Sequence, residues 1–313
     1  PAIVRSASAH KPARLMAGRP AAGAASEAAA SSSAAAVSPG KRFLQFEGST
    51  HAERWLLTYE QVEQADARHA FNDDSEAVFK AKLMYTQYLA ALGKRARIRQ
   101  RAVATAIVYF RRFYYRYSFL EHDPLLIAPT ALWVASKVEE CSLQAKMLVS
   151  HFPSATEVEN TYQVAHLLDA EFLLIEALRF DLVVYQPYLP LTEYLQHALL
   201  VEIVGTDAIE SFRQTAWFLL NDCFRTDLVL CHPPHTIALA CIHMAALLRG
   251  FNTIRWLDRV DLNVQEVEEV TAQLTSMYEY CSSLPDRQLM EVHEALSAMH
   301  WRALRPAAPR RSG

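Results

Sequence analysis

Ala102-Val-Ala-Thr-Ala-Ile-Val-Tyr-Phe-Arg-Arg-Phe113 and, a short way on, Leu132-Trp-Val-Ala-Ser-Lys-Val-Glu-Glu140 decide how this chain folds. Around the first stretch, Val103, Ala106, Ile107, Phe110, Tyr114 and Tyr117 recur at i, i+3, i+4 and i+7, the period of a helix with one apolar face. Arg101, Arg112 and Arg116 fall on the opposite stripe, so this helix is expected to bury one face and wet the other. The second run is apolar nearly all round from Leu125 to Ser136, which marks a helix enclosed by others. Asp123-Pro124 suits its start, because proline's missing N–H costs nothing in a first turn; Pro129 leaves the exact start open. The run closes on Lys137-Val-Glu-Glu140. An enclosed helix has no need of a lysine and two acids in its last turn. A docking surface has.

Working outward, glycine use sets the fold class. From Ser49 to Ser312 there are three glycines, Gly93, Gly205 and Gly250, and no Asn-Gly or Asp-Gly hairpin signal. The chain is expected to be all-α. The order of elements then returns: an amphipathic run from Phe212 to Phe224, a short polar link, Pro233-Pro234, and an apolar helix from Thr236 to Leu248. A shift of 110 residues superposes Leu89 on Leu199, Thr105 on Thr215, Ala106 on Ala216, His122 on His232 and Pro124 on Pro234. It also superposes Ile127 on Ile237, Ala128 on Ala238 and Ala135 on Ala245. We read two copies of a five-helix unit, at 77–182 and 187–284, joined by Asp181-Leu-Val-Val-Tyr-Gln-Pro187. Residues 43–76 form an N-terminal helical segment, and 285–313 a short C-terminal helix with a basic tail. Residues 1–42 are low in complexity, with ten alanines among the sixteen residues from Ala21 to Ala36. They read as a disordered extension, although the Ala/Ser/Arg bias also resembles a transit peptide, and Met16 could be a natural start.

Composition narrows the function classes. With 313 residues and 51% hydrophobic side chains the chain can bury a large core, yet no uncharged apolar run approaches the length of a membrane span. The five cysteines (141, 223, 231, 241, 281) include no Cys-x-x-Cys pair, which suits reduced thiols in the cytosol or nucleus. Residues 1–46 carry +5 and residues 302–313 carry +4; the chain's total of −3 leaves −12 for residues 47–301. A body this acidic repels nucleic acid. No phosphate-binding Gly-rich loop, nucleophile elbow or His-Glu-x-x-His appears, so no catalytic residue is assigned. Cys231, His235, Cys241 and His243 lack zinc-finger spacing and read as core or interface residues, so no metal or cofactor is expected. The aromatic residues from Tyr109 to Phe119 read as core and interface rather than a base-stacking platform.

Two five-helix repeats, the first with Ala135-Ser-Lys-Val-Glu-Glu140 closing its third helix, resemble the cyclin boxes of the cyclin family. Ala104 to Ser118, Asp123 to Thr130, Val183 to Tyr188, Asn221 to Leu228 and Pro233 to His243 are similar to the C group of that family, as is Ser49-Thr-His51 with Trp55-Leu-Leu57. The resemblance covers about residues 43–300. It implies a non-enzymatic regulatory subunit that binds and activates a cyclin-dependent kinase. It further implies a kinase of the Mediator-associated type, other Mediator kinase module subunits as partners, RNA polymerase II transcription as the process and the nucleus as the place. The family's kinase-gripping pair maps onto Lys137 and Glu171, with Glu176 on the same helix as the competing register. Glu139 and Glu140 would answer arginines of the kinase activation segment, supplying charge that a phosphate otherwise brings. The plain alternative for Lys137 is a solvated helix end, where a cation suits the dipole. Where cell-cycle cyclins carry a substrate-docking patch this chain has Ala81-Lys-Leu-Met-Tyr85, and Tyr88 stands in place of their Trp, which puts that docking in doubt. A general transcription factor resembling transcription factor IIB shares the repeated fold, but it would carry a zinc ribbon and a basic surface.

Overall fold

The computed structural model describes residues 45–69, 75–141, 143–150, 162–257, 260 and 263–304. The extension at 1–42 therefore lies outside the described residues, as does most of the basic tail. Every regular element among the described residues is a helix. Two short helices open the order, α1 (Thr50–Trp55) and α2 (Tyr59–Arg68), the first capped by Ser49 and the second by a Thr58/Gln61 capping box. Then come α3 (Ser75–Arg95), α4 (Gln100–Arg116), α5 (Pro124–Val138), α6 (Ala145–Val149) and α7 (Val164–Ala177). The pattern returns as α8 (Tyr188–Leu195) with α9 (Ala198–Val204), α10 (Ile209–Cys223), α12 (Pro234–Arg249), α13 (Ile254–Leu257) and α14 (Val264–Ser283). A one-turn α11 (Leu228–Cys231) sits between α10 and α12, and α15 (Asp286–Leu304) closes the chain.

The expected central helices are α5 and α12. Each begins with proline in its first turn, α5 behind an Asp123 side-chain cap, and each is buried over most of its length. Pro129 lies inside α5 near its start, where few intrahelical bonds are lost. Around α5 pack α4, α7 and α3; around α12 pack α10, α14 and α8. The lead helix of the second half is broken into α8 and α9, with Gln196 and His197 at the break.

Helix ends close without much glycine. At Arg97, Glu140 and Arg179 the chain turns left-handed (φ 54°, 52° and 55°), and the next amide bonds back to the third-last residue of the helix: Ile98 to Gly93, Cys141 to Ser136 and Phe180 to Ile175. Among the described residues, Gly205 (φ 83°) and Gly250 (φ 74°) close helix ends with the residue that a positive φ favours. Gly93 has another purpose. A Cβ there would collide with the Val103 side chain, so its bareness sets how closely α3 approaches α4.

Three expectations need correction. Helix α4 wets only the two ends of its arginine stripe: Arg101 and Arg116 are exposed, but Arg112, like its neighbour Arg111, is at most 1% exposed, and every residue from Ala102 to Tyr114 is buried. The outer face is covered by segments distant in sequence. Arg111 donates to Asp227 Oδ1 (2.7 Å), to the Phe224 carbonyl (3.2 Å) and to Thr86 (3.3 Å). Lys82, also buried, reaches Asp66 on α2 (2.6 Å) and the other oxygen of Asp227 (3.2 Å). Burial opposes ionisation of Asp227, but Lys82 and Arg111 outweigh it and hold the carboxyl below its ordinary range. Arg112 lies over the Trp55 ring (4.9 Å) and donates to the Asp181 carbonyl, and burial lowers its pKa to about 9. Second, the link at 225–232 is not simply polar. Leu228, Val229 and Leu230 are buried as α11, and the Leu57 amide bonds the Leu230 carbonyl at 2.8 Å. Third, the C-terminal helix is not short: it runs 19 residues and buries Leu289 and Leu296 as it packs on α3.

Asp227→Ala leaves two buried cations short of a counter-charge and is expected to cost about 3–5 kcal/mol in equilibrium urea unfolding. His51 is a second test. Burial first, then Arg112, lowers its pKa to about 3, while its Nδ1 accepts the Tyr185 amide (3.1 Å). The native state thus holds it neutral, so its contribution is complete above pH 6.5 and is lost as pH falls toward 3. Between pH 6.5 and 5, above the carboxylate range, stability should fall less steeply in His51→Phe than in the wild type.

Candidate functional site

The last turn of α5 meets α7. Lys137 and Glu171 come together at 2.5 Å, Nζ to Oε1. The second carboxylate oxygen of Glu171 accepts the Trp133 indole N–H at 2.9 Å, and the Lys137 ammonium stands 4.5 Å from the centre of that same ring. Trp133 and Lys137 are four apart on α5, so one helix face carries both, and the indole fixes the carboxylate while its π face attracts the cation. The Glu171 side chain is only 13% exposed and the Lys137 side chain 46%. Glu171 is therefore the rigid half of the pair and Lys137 the accessible half. Glu176, the competing register, is exposed and lies one turn further along α7, away from this contact.

The two acids after Lys137 part company. Glu139 is the C-cap residue of α5 and turns inward: Thr105 donates to one oxygen (2.7 Å) and Arg101 Nε to the other (2.7 Å). Gln186 donates to both Thr105 Oγ1 and the Arg101 carbonyl, which links this corner to the chain between the two halves. Glu140 occupies the left-handed position, exposed, with no ion pair among the described residues. Its backbone closes the helix while its carboxylate stays in water.

Beside the pair lie large apolar side chains in solvent. Phe172 (76% exposed) follows Glu171 directly, Leu168 precedes Phe172 by one turn, and Phe180 and Val183 continue past the end of α7. Sequence reasoning missed these, and it missed Trp133 and Arg101 as partners. A signal existed: α7 reads Leu167-Leu168 and Phe172-Leu-Leu-Ile175, more apolar surface than one buried stripe can use. Apolar side chains clustered around a half-exposed ion pair are what a protein-docking surface needs. Ala81 to Tyr85, by contrast, is buried throughout, with Lys82 committed to Asp66 and Asp227, so it offers no surface for substrate docking.

Of the other candidates Cys241 is core, whereas Cys231, His235 and His243 are half-buried. Cys241 lies 3.5 Å from Cys223, sulfur to sulfur, and both are buried. Among the described residues no group of three His, Cys, Asp or Glu is arranged to hold a metal ion, and no helix is long and apolar enough to cross a membrane.

Residues 54–183 match the cyclin N-terminal domain family. A rice (Oryza sativa subsp. japonica) protein, Cyclin-C1-1, is 36% identical over 253 residues, spanning 79% of this chain and 93% of its own. The chain is a cyclin. Cyclin-C of Rattus norvegicus is 34% identical over 254 residues, 78% of this cyclin and 87% of the rat protein. Among solved structures, a chain of the Chaetomium thermophilum CAK complex bound to ATP-gamma-S superposes with a TM-score of 0.65 at 18% identity, covering 88% of this cyclin and all of that chain. A chain of the yeast TFIIK complex gives 0.58 at 19% identity, covering 73% and 99%. At such identities these structures speak for the fold.

Trp133→Phe keeps a ring beneath Lys137 but removes the donor to Glu171. It should lower this cyclin's stability by about 1–2 kcal/mol, as expected for a hydrogen bond to a charged group. Glu140→Gln should shift it by less than about 0.5 kcal/mol. Thermal unfolding of the two variants beside wild type checks both.

Proposed function

We propose that this cyclin is the regulatory subunit of a cyclin-dependent kinase that acts in transcription, of the Mediator-associated type, and that it works in the nucleus by protein contact alone. The observation that carries the reading is the Lys137–Glu171 pair, held in place by Trp133 and set among exposed Leu168, Phe172, Phe180 and Val183. A desolvated charged pair fixes register across an interface, and the apolar side chains around it supply the area. Lys137 and Glu171 grip the kinase helix that carries its catalytic glutamate. That grip keeps the kinase's Lys–Glu pair and its Mg²⁺-binding Asp aligned for phosphoryl transfer. The cyclin supplies no reacting group. Its contribution is a platform that does not bend, because α4 and α5 behind the site are buried.

Glu140 and Glu139 answer arginines of the kinase activation segment, with unequal readiness. Glu140 is free to do so at once, whereas Glu139 must first exchange Arg101 for the partner's cation. We assign the kinase to the box at 77–182 and leave the box at 187–284 to other subunits of the Mediator kinase module. The relatives named Cyclin-C, matched over most of their length, support the choice of kinase type.

Affinity purification of the full chain from nuclear extract, wild type beside Lys137→Glu, tests this reading. The substitution sets two carboxylates against each other at the centre of the surface. Wild type should recover a cyclin-dependent kinase with Mediator subunits, and the variant, shown folded by circular dichroism, should lose the kinase at least tenfold. A kinase held equally by both would move the interface elsewhere. A promoter-bound polymerase complex without a kinase would overturn the reading.

A further inference from the structure

Residues 77–120 contain ten Lys and Arg and no Asp or Glu, in a chain whose formal net charge is −3. Most of these cations are spoken for. Lys80 pairs with Glu76, Lys82 with Asp66 and Asp227, Arg111 with Asp227, and Arg101 with Glu139. Arg112 lies over Trp55, and Arg116 donates to the Ala177 carbonyl at 2.7 Å. Four remain: Lys94, Arg95, Arg97 and Arg99. All four are exposed and none has an ion pair among the described residues. They occupy a single turn, the connection from α3 to α4.

That turn is built to hold its shape. The Arg97 amide bonds the Lys94 carbonyl (3.2 Å) and the Ile98 amide the Gly93 carbonyl (2.9 Å), which closes α3 with Arg97 left-handed. Ala96 is buried and Ile98 packs on the core, so the apolar residues alternating with the arginines are pinned inward. Gly93 brings α3 against Val103 at the root of the turn. On the far side Gln100 donates to the Tyr188 hydroxyl (3.3 Å) and to Asn221 (3.2 Å). The cations are thus fixed at their stems and free at their heads. They also surround the N-terminus of the 17-residue α4, which has no side-chain cap and no acid in its first turn. The positive end of the helix adds to the four charges instead of being answered by a carboxylate.

We infer that the α3–α4 turn is a docking site for a protein segment carrying clustered phosphates. The choice of ligand follows from the cations. Three of the four are arginines, whose planar fork matches phosphate with two parallel hydrogen bonds. An exposed arginine gains little from one carboxylate, since water screens the pair. A phosphoserine brings nearly two charges and three strong acceptors, which makes the same exposed site useful. Nucleic acid fits less well. Its backbone needs a basic track, and here the positive field ends within a turn, while screening at physiological salt confines it to about 8 Å. Through Arg101 and Glu139 the turn adjoins the end of α5. The inference nonetheless stands on the turn alone and does not require the kinase reading.

Full-chain protein tests it by fluorescence anisotropy at 150 mM salt. The probes are a degenerate 12-residue peptide pool with two fixed phosphoserines, the same pool unphosphorylated, a 12-nucleotide single-stranded RNA, and phosphatidylcholine vesicles containing phosphatidylserine. Wild type should bind the phosphorylated pool at least tenfold more tightly than the other three probes. Lys94→Ala/Arg95→Ala/Arg97→Gly/Arg99→Ala, with an unchanged melting temperature, should lose that preference, because all four side chains are exposed and glycine suits the left-handed position 97. Lys137→Glu should keep it, which separates this site from the docking surface proposed above. Equal binding of both peptide pools, an undiminished preference in the quadruple variant, or tighter binding of RNA or vesicles would each overturn the inference.

Discussion

Four charged side chains, Lys82 and Arg111 facing Asp66 and Asp227, hold this cyclin together from the inside. They come from α3, α4, α2 and the link before α11, so one cluster joins the N-terminal segment, the first five helices and the second five. Buried charges are expensive to desolvate and tolerate little misplacement. The cluster is therefore weak evidence for net stability, but removing any one member leaves an uncompensated buried charge. Arg112 is likewise buried on the neighbouring face, with Trp55 and the Asp181 carbonyl as its partners. Arg111 thus ties α4 to the second half at Asp227, and Arg112 ties it to the N-terminal segment and the inter-repeat chain.

The proposed docking surface inherits its rigidity from that cluster. Helix α4 cannot shift without disturbing the cluster, and α5 lies packed along it. The corner at Glu139 is bound to α4 by Thr105 and Arg101 and to the inter-repeat chain by Gln186. Lys137 thus projects from a helix end fixed on three sides. Glu171 comes from a different helix, yet the Trp133 indole links it to the same end of α5. The half-exposed Lys137 head, the Glu140 carboxylate and the exposed apolar side chains of α7 are the parts that solvent reaches.

What the sequence revealed and what it concealed divide along a physical line. The scarcity of glycine, the prolines before α5 and α12 and their apolar content are local signals, and the helices they announce are present. Lys137 and Glu171 are paired by the family resemblance and by no local signal; that they touch each other is a finding of the structure. Arg112 was misread because a helical stripe records polarity, not what covers it; Asp181, whose carbonyl it meets, lies 69 residues further along the chain. The link at 225–232 was misread for the converse reason: its polar ends, Arg225 to Asp227 and His232, hid a single buried apolar turn. Glu139 and Glu140 are indistinguishable in sequence. The left-handed turn at Glu140 separates them, sending one carboxylate inward and leaving the other outside.

The N-terminal segment carries a consequence for how the chain is made. Trp55 and Arg54 find their acid at Asp181, His51 its amide at Tyr185, Asp66 its lysine beside Asp227, and the Leu57 amide its carbonyl at Leu230. These early residues therefore wait for some of the later ones before they can be buried. Contacts spanning well over a hundred residues close slowly, since the loop entropy precedes the gain. Through most of synthesis, then, α1 remains uncommitted and open to a chaperone, while α2, whose Asp66 meets Lys82 only 16 residues on, can already pack against α3 and α4.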